Sequence, residues 1–80
     1  MPGVADLREA FASAAGPGFS VRAARLRYAP GNHVILEFDG VVSSTAGGEP
    51  FSIVSDPLHP STKAVDEAVR LGAEMKAKHV

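Results

Sequence analysis

Residues 19–38, FSVRAARLRYAPGNHVILEF, decide the fold of this chain. Two runs rich in β-branched, aromatic and aliphatic residues flank Ala29-Pro30-Gly31-Asn32. That tetrapeptide is turn chemistry: proline presets the first corner, and glycine or asparagine accepts positive φ. The stretch therefore reads as two antiparallel strands. In strand one, residues 19–28, Phe19, Val21 and Ala23 alternate toward one face, while Leu26 and Tyr28 point inward on the opposite parity. A bulge near Ala23-Ala24 reconciles the two halves, because one extra residue flips the facing. With that bulge, Arg22, Arg25 and Arg27 all lie on the outer face. Without it, Arg22 parts from the other two.

Strand two starts at His33. Val34, Leu36 and Phe38 face one way; His33, Ile35, Glu37 and Asp39 face the other. Asp39-Gly40 reads either as a two-residue hairpin turn or as a kink in one long strand reaching Ser44. The long strand is preferred because its length matches strand one. Residues 45–50, TAGGEP, form a loop, and residues 51–55 a short third strand.

Helices flank the sheet. Across residues 3–15, Val4, Leu7, Phe11 and Ala14 or Ala15 recur at helical spacing. Asp6 suits the positive end of the helix dipole, and Gly16-Pro17 stops the helix. Residues 56–60, DPLHP, are a stiff connector, after which Ser61 or Thr62 can cap a last helix running to about His79. Its apolar face is Val65, Ala68, Val69, Gly72 and Met75, flanked by Ala64 and Leu71. Its polar face offers Asp66–Arg70, Arg70–Glu74 and Glu74–Lys78 pairs at i,i+4 spacing. The expected fold is a single α+β domain over residues 1–80: helix, three-stranded antiparallel sheet, helix, with both helices on one sheet face. The other face is left open.

Composition narrows the function. A net charge of −1 argues against nucleic-acid binding through bulk positive charge. With no cysteine there is neither disulfide nor thiolate–metal staple, so a chain of 80 residues has oligomerisation as its remaining common aid to stability. A homodimer is left open. No apolar run spans a membrane. Asp6 and Glu9 stand where a signal peptide needs a basic start and an apolar run, so the expected location is the cytoplasm of a bacterial host. Five arginines against three lysines, with abundant Ala, Gly and Val, hint at a GC-rich genome.

Catalytic patterns are missing. No GxSxG, GxxxxGK[ST] or dinucleotide fingerprint occurs. His33, His59 and His79 are scattered and form no metal-ligand spacing. Glu37 and Asp39 sit about 7 Å apart along one strand face, a spacing that acid–base catalysis uses. Pairing with Arg25 and Arg27 across the hairpin is the simpler role for them. The expectation is a non-enzymatic protein with no catalytic, cofactor or metal residues. The arginine stripe reads either as a solvated strand face neutralised by those acids or as a contact face. Ile35 and Val41 share that face, and arginine with exposed apolar groups marks protein interfaces. The candidate contact residues are Arg22, Arg25, Arg27, Ile35 and Glu37.

Two resemblances follow. The helix–three strands–helix order, the Pro30-Gly31-Asn32-His33 turn and Lys63-Ala64 at the start of the last helix resemble the double-stranded RNA-binding domain. That resemblance implies phosphates held at the turn and at the helix start. Here Asp66 and Glu67 follow Lys63 and would repel phosphates, so direct nucleic-acid contact is not expected. As a small, cysteine-free α+β chain without catalytic apparatus, the protein is also similar to phage and prophage anti-CRISPR proteins. This implies an inhibitor that docks on a subunit of a type I CRISPR effector and blocks target-DNA binding. A nucleic-acid-binding domain and the antitoxin of a toxin–antitoxin pair are the alternatives.

Overall fold

The computed structural model describes residues 3–59 and 63–79. The order is helix α1 (Val4–Ala15), strands β1 (Phe19–Ala29), β2 (His33–Val42) and β3 (Glu49–Val54), and helix α2 (Ala64–Lys78). The strands form one antiparallel sheet in the order β1-β2-β3. The expected α+β architecture is what forms.

Pro30-Gly31-Asn32 turns the first hairpin, with Gly31 at φ 84° and Asn32 at φ 62°, the left-handed region these residues tolerate. The bulge exists, but one step earlier than expected. Val21 opposes Gly40 and Ala23 opposes Asp39, so Arg22 is the extra residue. Ala23 therefore joins the open face in register with Asp39, and Ala24, not Ala23, packs against the core. Tyr28 shares its side with Val34 yet is 72% exposed, contrary to the inward position expected of it. The molecule is elongated, 41 × 20 × 19 Å.

Asp39-Gly40 is part of one long strand, as preferred, but that strand ends at Val42 and not Ser44. The amides of Ser43 and Ser44 both turn back to the Gly18 carbonyl, at 2.9 and 3.3 Å. β3 begins two residues before the expected Phe51 and stops at Val54. Ser55 leaves the strand yet stays bound to β2: its amide donates to the Leu36 carbonyl at 2.9 Å, and its buried hydroxyl accepts from the Leu36 amide at 2.9 Å. The connector then meets β2 again through paired main-chain bonds between Leu58 and Val34.

α1 starts with the Gly3 amide donating to the Asp6 carboxylate at 3.1 Å. It ends at Gly16, φ 89°, whose amide bonds Ala12 O. Leu7, Phe11 and Ala15 are its buried stripe; Val4, expected there, opens the first turn and is 46% exposed. The expected Ser61 or Thr62 cap lies outside the described residues. In α2, Ala68, Leu71, Gly72 and Met75 are buried, so Leu71 belongs to the core and the 44%-exposed Val69 does not. Arg70 pairs with Glu74 and Glu74 with Lys78, as expected, but its other partner is Glu67 (2.6 Å), not Asp66. The Glu67 side chain is almost buried, and a two-pronged bond from one guanidinium satisfies both its oxygens. Hydrogen bonding and charge from Glu67 hold the Arg70 proton above the ordinary arginine range.

Leu7, Phe11 and Ala15 from α1 and Ala68, Leu71 and Met75 from α2 form one core with Leu36, Phe38, Val42, Phe51 and Ile53. Both helices therefore cover the same sheet face. Phe11 is fully buried and stacks on Phe38, ring centroids 4.4 Å apart and 10° from parallel. Burying each such ring contributes about 1.5–3 kcal/mol.

Candidate functional site

The other sheet face is uncovered by either helix. Register places three rows across it: Arg25–Glu37–Val54, Ala23–Asp39–Ser52 and Ser20–Val41–Pro50, with Arg27 beside Ile35 nearer the hairpin tip. This alternation follows from the pleat, which sends Leu36, Phe38, Gly40 and Val42 inward and their neighbours outward. Arg25, Arg27, Ile35 and Glu37 are thus brought together as expected. Arg22 has no partner across the hairpin; it lines a groove at the outer edge of β1, which Arg25 also borders.

Electrostatics on this face are internally compensated. One Arg25 nitrogen, Nη1, donates to Glu37 at 2.8 Å and to Asp39 at 2.5 Å. Arg27 approaches Glu37 at 3.6 Å. The Asp39 hydrogen bond and charge, reinforced by Glu37, hold the Arg25 guanidinium proton above its ordinary range. Two arginines against two carboxylates leave no surplus charge for phosphates. The cross-hairpin pairing proposed for Glu37 and Asp39 is the arrangement found. Around the ionic centre lie apolar groups: Ile35 and Val41 half-buried, and Val54 48% exposed. Val54 and Pro50 join the face from β3. Their sequence signal, alternation with buried Phe51 and Ile53, is readable once β3 is started at Glu49.

At α2, Lys63 precedes the helix and Asp66 and Glu67 fill its first turn. Among the described residues, no cluster of three His, Asp or Glu side chains could hold a metal ion, and no helix is long and apolar enough to cross a membrane.

At the edge of β1, Arg8 of α1 donates to the Val21 carbonyl at 2.6 Å. Beyond that bond, helix and strand diverge around a groove of about 680 Å³. Sequence reasoning missed Arg8 as part of any site, since an arginine on a helix's polar face carries no signal of the strand it will reach.

No protein-family model matches the chain, and no curated protein or solved structure matches it either.

Proposed function

We propose that this chain is a non-enzymatic protein-binding module that docks through its open sheet face. One observation carries the reading: Arg25 of the edge strand β1 is braced by Glu37 and Asp39 of the central strand, on a face that also presents Ile35, Val41 and Val54. A preordered guanidinium on a face that also carries apolar side chains is the kind of centre from which protein interfaces draw much of their affinity. Its ionic groups cancel, which favours a mixed polar–apolar protein surface over a polyanion.

The partner we propose is a subunit of a type I CRISPR effector, with inhibition by occlusion of target-DNA binding. This reading of the partner rests on the likeness in size, composition and fold type to anti-CRISPR proteins. The test is retention of purified effector complexes on the immobilised chain, followed by target-DNA binding by the effector with and without it. Retention that is lost in an Arg27→Glu, Ile35→Lys double variant supports the face. Undiminished retention by that variant excludes the face, and no retention by the native chain excludes the effector. A gel shift with duplex RNA at low salt tests the nucleic-acid alternative, where phosphate contacts are strongest.

A further inference from the structure

The groove beside β1 adjoins the open face, sharing Ala23 and Arg25 with it, but its other wall is α1 and its chemistry asks for a different occupant. β1 is an edge strand, so among the described residues no strand pairs with its outer main-chain groups. The Val21 carbonyl points out of the sheet, because Arg8 reaches it from α1. Counting on through the extra residue at Arg22, strand alternation aims the main-chain groups of Ala24 and Leu26 outward as well. Ala24 lines the groove, and α1 contributes Ala5 and Ala12 to it, whose side chains are single methyl groups.

Charge selects the segment. Among the described residues, no ion pair or hydrogen bond engages the Arg22 side chain. Arg8 donates to a neutral carbonyl, a bond that brings no carboxylate against its guanidinium. Glu9 is the one acid lining the groove. The bulge limits register: an incoming strand can pair with β1 only beyond Arg22, toward Ala29.

We infer that the groove between α1 and the outer edge of β1 binds an extended acidic segment of a partner protein by adding it to the sheet as a fourth strand. Main-chain bonds to Ala24 and Leu26 supply the pairing, the alanine-lined groove takes small apolar side chains of the segment, and an acidic residue meets Arg22. A helix would not satisfy the strand edge, and a small anion would leave it bare.

The probe is a phage-displayed random dodecapeptide library selected on the whole protein. Recovered peptides are expected to alternate acidic and small apolar residues. They should bind Arg22→Glu about tenfold more weakly and bind the Arg27→Glu, Ile35→Lys variant unchanged. N-methylation of a recovered peptide on one residue parity should abolish binding while the other parity tolerates it, and the Ala24 and Leu26 amides should gain exchange protection. The inference is overturned if no peptide is enriched, if the peptides bind Arg22→Glu undiminished, if N-methylation has no parity, or if protection falls on β3. Because the open-face variant is scored separately, failure here and failure of the open-face reading are distinguishable.

Discussion

Gly40 stands directly across from Val21 at the step where β1 takes in Arg22 as an extra residue. A methyl group at Gly40 would run into the Ser20 carbonyl group and lie 2.9 Å from the Val21 Cα. The bulge and the glycine therefore belong together: the strand that gains a residue presses on the one opposite, and only glycine leaves room.

Gly40→Ala should cost roughly 1–3 kcal/mol or more, since backbone and not a flexible side chain is in the way. Gly18→Ala is the control, because a methyl there meets only the Ser44 side chain, at 3.6 Å. Urea denaturation midpoints of the two variants give the comparison. Equal midpoints would mean that the sheet has no close approach at Gly40.

Gly72 plays the same part between the helices. A Cβ there would overlap the Phe11 carbonyl and sit 2.9 Å from the Ala14 methyl. In an exposed helix interior, glycine to alanine stabilises by about 1 kcal/mol. At Gly72 the sign should reverse, with a net loss of roughly 1–3 kcal/mol as α2 is pushed off α1. Thermal unfolding followed at a helix-sensitive wavelength decides the sign.

Ser55→Ala removes the hydroxyl that accepts from the buried Leu36 amide. Loss of the only acceptor described for that amide should cost about 1–3 kcal/mol. Hydrogen exchange at Leu36 should accelerate beyond what the global loss explains, while the bond from the Ser55 amide to Leu36 O survives. Unchanged exchange at Leu36 would show that the hydroxyl is dispensable.

Arg25→Glu would gather three carboxylates where one guanidinium now bridges two. The variant should have a lower unfolding midpoint than the native chain, and the gap should narrow as added salt screens the repulsion. The native ion pair has its own pH signature. The folded state holds the Arg25 proton more firmly than the unfolded state. Its contribution is therefore complete below the ordinary arginine range and lost only as pH rises beyond it. A pH titration of stability through neutrality should show no step that disappears in Arg25→Met.

Element identity was legible because it rests on local chemistry. Pro30-Gly31-Asn32 permits little besides a turn, Gly16-Pro17 stops a helix, and the 3.6-residue spacing of Leu7 and Phe11 needs no partner to be read. The need for a bulge was also legible, from the parity conflict between Val21 and Leu26. Its site was not: Ala23 and Ala24 are equally small, and the deciding constraint is the pressure of Ser20 and Val21 on Gly40, across the sheet. Of the contact residues, Arg25, Arg27, Ile35 and Glu37 follow from strand alternation, whereas the facing of Arg22 depends on where the extra residue falls.

By itself, then, the sequence determined the order of elements, the hairpin, and the mixed arginine–apolar character of one sheet face, because turn geometry and side-chain periodicity act between near neighbours. Tertiary structure alone decided that Arg22 is the bulged residue, that Tyr28 stays exposed beside the hairpin turn, that Arg70 takes Glu67 in place of Asp66, and that Arg8 reaches Val21 beside the groove along β1. Most of these depend on how one element packs against another, which side-chain periodicity along a single segment does not set.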